Sequence, residues 1–266
     1  GNAVAEAPDD LARELSISED KAELLLPTAM IYHNIFEETD AEFMWLSGIT
    51  ICDGMAADFA ECKEHIVPAH PFSDDIISVS RKLAERFCCD TEHIHQVEIA
   101  ALKLFDALRK ANHLTKKDRL LLQIAAILHN CGSFLNLNDI GENSYKIVTS
   151  TEIIGLSHQE RMIVAYVIRY TTGDFPEYSE IKNEFSREEY IKIAKLNAIL
   201  CLADAMDRSH QQKFTNFTVR KRGYDLTITG QTLYDITLEH GMFIQKSPFF
   251  EEAFGIRPVL RQKKCL

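Results

Sequence analysis

The chain has 266 residues, 46% of them apolar, with 29 Lys and Arg against 40 Asp and Glu for a formal net charge of −11. The apolar share excludes general disorder and supplies core enough for one large domain or two to three small ones. The acidic balance argues against a broad, sequence-independent nucleic-acid surface, which needs excess Lys and Arg, and mildly against an exposed polyanion track, although a local basic groove can survive in an acidic protein.

Ser16-Ile17-Ser18-Glu19 reads as a capping box, opening a helix through Ala22, Leu25, Ala29, Ile31 and Ile35-Phe36 with Pro27 as a kink. Phe43 to Ile49 is short and apolar and predicts a strand. Asp53-Gly54 predicts a turn, and Met55 to Cys62 a helix. These read as the α-β-α tail of an α/β unit, too small to fold alone as a sheet domain. His65 to Pro71, with Pro68 and Pro71, predicts a linker.

From there to about residue 212 the pattern is helical. Asp74 to Cys88 forms one helix; Asp90-Thr91 caps the next, with His93, Val97, Ala100 and Leu104 on one stripe. Thr115-Lys116-Lys117-Asp118 caps an apolar helix over Leu120 to Leu128 that carries His129 and stops at Gly132. Ser157-His158-Gln159-Glu160 caps a helix to Tyr170, which Gly173 and Pro176 break. Ser186-Arg187-Glu188-Glu189 caps a long helix ending near Arg208. The tail switches to period two: Asp225 to Thr229 and Tyr234 to Glu239 alternate and predict paired strands. Ser247-Pro248 then predicts the start of a short helix that Gly255 ends. No internal repeat or low-complexity tract occurs.

The seven cysteines, Cys52, Cys62, Cys88, Cys89, Cys131, Cys201 and Cys265, are odd in number with no Cys-x-x-Cys pair. A reduced cytoplasmic protein explains this better than a disulfide framework or a zinc knuckle. No apolar run is long enough to span a bilayer and no signal peptide is visible, so no membrane partner is expected. The chain opens on Gly1 rather than methionine, which predicts an expression remnant and a piece of something longer.

His129-Asn130 is the most informative pair. It closes the Leu120–Leu128 helix, where a metal-dependent phosphohydrolase of the HD type carries His-Asp. An asparagine offers only a neutral carbonyl oxygen and binds a divalent cation much less well than aspartate. The wider pattern resembles the C-terminal part of the exopolyphosphatase / guanosine-pentaphosphate phosphohydrolase (Ppx/GppA) family. Its strongest stretches are Leu120 to Gly132, Ser144-Tyr145 to Tyr170, Lys195 to Arg208 and Pro248 to Gly255. The resemblance implies a mainly α fold. Residues 1–64 would be the end of a ribonuclease-H-like, actin-like domain and 72–212 an HD-like helical domain, with 213–266 a small α+β C-terminal domain. It also implies stepwise hydrolysis of terminal phosphate from polyphosphate, or of guanosine pentaphosphate, with magnesium as charge neutraliser, in a cytoplasmic homodimer with no nucleic-acid partner. The family's phosphate-binding glycine loops and catalytic glutamate lie in an N-terminal half absent here. No catalytic residue is therefore expected in this chain, which alone should be inactive, supplying substrate path and dimer contacts.

On the same resemblance, His93, His129 and Asp204 stand at metal-ligand positions. The remaining positions depart. Relatives carry a histidine-rich stretch where this chain has Ile140-Gly141-Glu142-Asn143 before Ser144-Tyr145, and Arg-Tyr-His where it has Arg169-Tyr170-Thr171. These losses favour a degenerate, empty site whose polar groups stabilise the helices. Arg161 and Arg169, with Arg208, are anion-path candidates, although surface salt bridges are the plainer role. His158 could be a general base, but sits where an exposed cap residue is ordinary. Cys88-Cys89 reads as packed thiols rather than a redox pair. Lys116-Lys117, Arg220-Lys221-Arg222 and Lys263-Lys264 read as solvated turns and tails. Two rivals stand beside this reading: an autonomous HD-type metal phosphohydrolase using His93, His129 and Asp204, and a non-catalytic regulatory or dimerisation module.

Overall fold

The computed structural model describes residues 8–15, 18–39, 43, 51–64, 72–109, 112–214 and 216–263. The chain divides into two compact units, Gly1–Pro68 and Ala69–Leu266. The first contains helices α1 (Pro8–Glu14), α2 (Glu19–Glu37) and α3 (Ile51–Glu64). Among its described residues the buried apolar set is Leu11, Ala12 and Ala22. Helix α2 opens at Glu19 with Ser18 as its N-cap and no side-chain cap bond, so the expected capping box does not start it; Ser16 and Ile17 lie outside the described residues. Pro27 lies within α2. Asp53-Gly54 is not a turn but part of α3. An aspartate in a first turn favours the helix dipole, and a glycine in an open helical position costs only about 1 kcal/mol against alanine. The predicted strand after Phe43 and the predicted linker at 65–71 lie outside the described residues.

The second unit is a helical body with a small sheet. Its helices are α4 (Phe72–Arg86), α5 (Thr91–Leu108), α6 (Lys116–Leu128), α7 (Ile140–Ser150), α8 (His158–Arg169), α9 (Tyr178–Ile181) and α10 (Arg187–Ala205), with a 3-10 turn at Cys131–Phe134. Three of these helices begin as the capping pattern requires. Thr115 with Asp118, Ser157 with Glu160 and Ser186 with Glu189 form reciprocal boxes, each stabilising its helix by about 1 kcal/mol. Asp90 caps α5 by accepting the His93 N–H at 3.2 Å. The core forms where α5, α6, α8 and α10 meet: Leu104, Phe105, Leu122, Ile124, Ile127, Ile168, Leu196 and Leu200 are fully buried. Gly132 follows α6 because nothing larger fits; a Cβ there would stand 2.2 Å from the Ile140 carbonyl oxygen.

Strands β1 (Asn216–Arg222), β2 (Asp225–Gln231) and β3 (Arg257–Lys263) form one sheet in the order β1-β2-β3, with helix α11 (Thr237–Phe254) between β2 and β3. β1 and β2 pair antiparallel around a turn in which Gly223 has φ 58°; β2 and β3 pair parallel. Two expectations are corrected here. Tyr234 to Glu239 is not a strand: the Asp235 carboxylate accepts the Thr237 N–H at 3.0 Å and its hydroxyl at 2.6 Å, and α11 starts there. A short alternating run does not distinguish a strand from a helix start, and the buried positions Glu239, Phe243 and Phe250 recur at helical spacing. Pro248 lies inside α11 rather than at its start, and only the Gly255 stop, at φ 63°, falls where expected.

Candidate metal centre

Three helix ends converge. His93 stands in the first turn of α5, its N–H held by Asp90. His129 is the C-cap of α6 and Asp204 lies in the last turn of α10. Their ligand atoms all lie within 4.8 Å of one another. His93 Nε2 is 3.2 Å from His129 Nε2 and 3.4 Å from Asp204 Oδ1, and His129 Nε2 is 3.6 Å from the same oxygen. Both imidazoles are buried.

The other ring nitrogens are committed, which decides the tautomers. His129 Nδ1 lies 2.7 Å from the Ala126 carbonyl oxygen, which can only accept, so Nδ1 carries the proton. His93 Nδ1 lies 2.9 Å from Asp207 Oδ2. That carboxylate already accepts the Gln212 N–H at 2.7 Å and its side-chain amide at 3.2 Å, so His93 Nδ1 donates too. With both imidazoles neutral, three lone pairs face one another: two Nε2 and one carboxylate oxygen. Such a cluster needs a positive charge at its centre. A proton on His93 Nε2, shared between His129 and Asp204, supplies one. Burial pushes the His93 imidazolium down, but the hydrogen bonds and charges of Asp204 and Asp207 outweigh it and raise its pKa to about 9. Burial likewise pushes the Asp204 carboxyl up, and the hydrogen bonds and charges of His129 and His93 outweigh it and hold the group below the ordinary carboxylate range.

A divalent cation is the other candidate, and the donor set fits one. Two imidazoles and a carboxylate suit first-row dications. A tetrahedral centre with bonds of about 2.0–2.1 Å has edges of about 3.3–3.4 Å, close to the three separations here. The second layer is present: each imidazole donates its far N–H to an oxygen, the arrangement that orients metal-bound histidine. Ser144 ties the layer to α7 by accepting the Gly132 N–H at 2.7 Å and donating to the His129 carbonyl at 2.9 Å. His210 stacks on His93 with ring centroids 3.7 Å apart and bonds Asp90 at 2.9 Å. Sequence reading missed Asp207, Ser144 and His210. The signal for Asp207 was its place three residues after Asp204 in a helix-ending segment.

The positions at which the resemblance implies further ligands hold other residues. Half-buried Asn130 follows α6 with no side-chain cap bond. Thr171 donates its hydroxyl to the Ile168 carbonyl at 2.8 Å, and Asn143 reaches Asn136 at 3.5 Å. Arg208 lies 3.7 Å from Asp204 Oδ2, at the edge of the cluster. The other anion-path candidates are engaged elsewhere. Arg161 donates to the Thr151 carbonyl at 3.1 Å and contacts the exposed His158 at 3.4 Å. Arg169 donates to Glu142 at 2.7 Å and rests over the Tyr145 ring. Lys117 pairs with Glu160. Cys88 is exposed, while Cys89 packs on Cys131 with their sulfurs 3.3 Å apart, both buried.

No described helix is long and apolar enough to cross a membrane. The family model for Ppx/GppA phosphatase, domain III, matches residues 77–245, the helical body with the first two strands and part of α11. No match is found among curated proteins.

Proposed function

The chain belongs to the Ppx/GppA phosphatase family, and from that premise we propose that it is the C-terminal region of an exopolyphosphatase or guanosine-pentaphosphate phosphohydrolase. In this reading it supplies part of the substrate path and the dimer contacts of a cytoplasmic protein, while an N-terminal half carries the catalytic glutamate and the phosphate loops. The match over 77–245 carries the reading. Malachite-green detection of phosphate release from polyphosphate and guanosine pentaphosphate, with magnesium and this chain alone, tests it. No release is expected; turnover that survives stringent purification and persists in Asp204→Asn overturns it.

One observation favours a second role within the same body: three lone pairs, from His93, His129 and Asp204, aimed at one point with both tautomers fixed. The residue losses read from the sequence favour an empty centre; the geometry supports an occupied one. Held there, a divalent cation would neutralise and polarise a phosphoryl oxygen. The chain's own residues do the rest. Asp207 and the Ala126 carbonyl orient the imidazoles, and Arg208 sets a positive charge beside Asp204 where an anionic substrate group could approach. Calorimetric titration of the chelator-treated chain with manganese and zinc tests this role. Stoichiometric binding lost in Asp204→Asn supports it, and absence of binding returns the cluster to a fold-stabilising role. Phosphate release that requires this cation and disappears in Asp204→Asn would instead favour the autonomous phosphohydrolase.

A further inference from the structure

The C-terminal sheet brings together cations that lie far apart in sequence. Burial alternates along β2 and β3 and over the first half of β1, whose last three residues Arg220, Lys221 and Arg222 are all exposed; by strand alternation one face packs inward through Phe217, Leu226, Ile228 and Leu260 while the other faces out. On β1 the outward residues are Asn216, Thr218, Arg220 and Arg222. On β2 they are Asp225, Thr227, Thr229 and Gln231. On β3, in register with these, they are Arg257, Val259, Arg261 and Lys263. Lys and Arg supply 29 of 266 residues in the chain but 5 of these 12 outward positions, with one acid among them. That acid is already neutralised: Asp225 pairs with Arg257 at 2.9 Å. Arg220, Arg222, Arg261 and Lys263 make no ion pair among the described residues. A protein of net charge −11 therefore concentrates uncompensated positive charge on one small face. A hollow of about 390 Å³ lies there, lined by Asn216, Thr218, Arg220, Thr229, Gln231 and Lys263 together with the inward-facing Phe217.

The arrangement has two rails and a floor. The outer strands carry the cations and the central strand carries Thr227, Thr229 and Gln231. The rails lie two strand spacings, roughly 10 Å, apart, and successive cations on one rail are two residues, roughly 6.6 Å, apart. Consecutive phosphates in an extended nucleotide strand are separated by six covalent bonds, roughly 6–7 Å; those in a phosphoanhydride chain are separated by two bonds, roughly 3 Å. The cation spacing matches the nucleotide strand. So does the floor, because hydroxyl and amide side chains pair with sugar hydroxyls and base edges, which a bare phosphate chain does not offer. Tyr224 and Tyr234, both well exposed, flank the two ends of β2 as surfaces on which a base can stack. We propose that the outer face of this sheet binds a single-stranded nucleic acid, with its one line of phosphates crossing the face from Arg222 and Arg220 on β1 to Arg261 and Lys263 on β3, about three nucleotide steps over the roughly 20 Å of strand.

The test uses the full chain and a fluorescein-labelled single-stranded RNA 12-mer without self-complementarity, followed by anisotropy against salt. Saturable binding is expected. Arg261→Gln combined with Lys263→Gln should weaken it at least tenfold at low salt. The slope of log K against log salt should fall by about 1.4, since each phosphate contact on a single strand contributes about 0.7. The sharpest comparison is within one sequence cluster. Arg220→Gln and Lys221→Gln remove the same charge one residue apart, but strand alternation puts them on opposite faces. Arg220→Gln should weaken binding several-fold and Lys221→Gln by less than twofold, with melting temperatures confirming that both variants fold. Equal losses would reduce the effect to diffuse charge and overturn the proposal, as would failure to saturate. Inorganic polyphosphate that displaces the RNA at a tenth of the equivalent phosphate concentration would overturn the nucleotide assignment.

Discussion

Two buried polar clusters share the segment from Asp204 to Lys213 and obey opposite rules. At Glu239, which is fully buried, every partner is a donor: the Ser209 N–H at 3.3 Å, the Ser209 hydroxyl and the Lys213 ammonium at 3.1 Å. At His93, His129 and Asp204 the fixed tautomers leave three acceptors aimed at each other. The first cluster is chemically closed and needs nothing further. The second is closed only by an added positive charge. Burial and polarity are common to both, so neither marks a ligand site; the surplus of lone pairs does.

Breaking the closed cluster should give the largest effect, and on stability alone. Glu239→Ala leaves Lys213 nearly buried without its anion, which costs about 3–5 kcal/mol; chemical denaturation should show it, with manganese affinity unchanged. The same cluster sets a pH dependence. Burial pushes the Glu239 carboxyl up, but the bonds from Ser209, its own backbone N–H and Lys213 outweigh this and lower its pKa below 4.5. A depressed carboxylate contributes stability that is present above the unfolded value and lost as pH falls through the folded one. Glu239→Gln should therefore flatten the acid limb of stability below about pH 4.5. An acid limb identical to the parent's would show that Glu239 is not closed as described.

Opening the other cluster should read out in cation affinity. Asp204→Asn removes the anionic member of the three candidate ligands, and manganese binding should weaken at least about 100-fold, roughly 2.7 kcal/mol. Asp207→Asn touches no cation but leaves one amide oxygen for the two donor sites that both carboxylate oxygens now serve, the Gln212 N–H and His93 Nδ1, so the hold on His93 loosens and affinity should fall about 10–100-fold. If Asp207→Asn lowers thermal stability and leaves affinity intact, the two clusters are of one kind and the contrast between them fails.

Most of the helical body was legible in the sequence because helix starts are written locally. A Ser or Thr with a carboxylate three residues on marks a helix start, and Thr115, Ser157 and Ser186 all take that role, while Ser16 with Glu19 does not. The sheet was legible only at β2. β3 draws its partner from distant sequence, β1 pairs with its neighbour β2 but ends in the exposed run Arg220-Lys221-Arg222 with no apolar alternation, and Tyr234 to Glu239 imitated a strand while its buried positions obeyed a helix. The ligand atoms could be placed at His93, His129 and Asp204 by resemblance, but their state could not. That state turns on which nitrogen carries the proton, and Ala126, Asp207 and Gln212 settle it through contacts that no spacing rule contains. The basic face was hidden for a related reason. Arg220-Lys221-Arg222 is one run in sequence and two opposite faces in a strand.

The smallest effect is expected furthest from the centre. Gln212 touches neither histidine. It holds Asp207 through its backbone N–H at 2.7 Å and its side-chain amide at 3.2 Å, from a backbone with φ 47°. Gln212→Ala keeps the shorter of these bonds and removes the longer. Asp207 then retains one firm donor besides His93, and its rotation relaxes only slightly. A hydrogen bond to a carboxylate contributes about 1.5–3 kcal/mol at full strength, but this one is long at 3.2 Å, shares Oδ2 with His93 Nδ1 and leaves the backbone N–H bond in place, so only a fraction of that is lost. Manganese affinity should fall about two- to fivefold, and stability by less than about 1 kcal/mol. Calorimetry on Gln212→Ala beside Asp207→Asn gives the comparison. A loss as large as that of Asp207→Asn would mean that the amide, not the backbone N–H, fixes the carboxylate, and that the open cluster extends one residue further than its ligands.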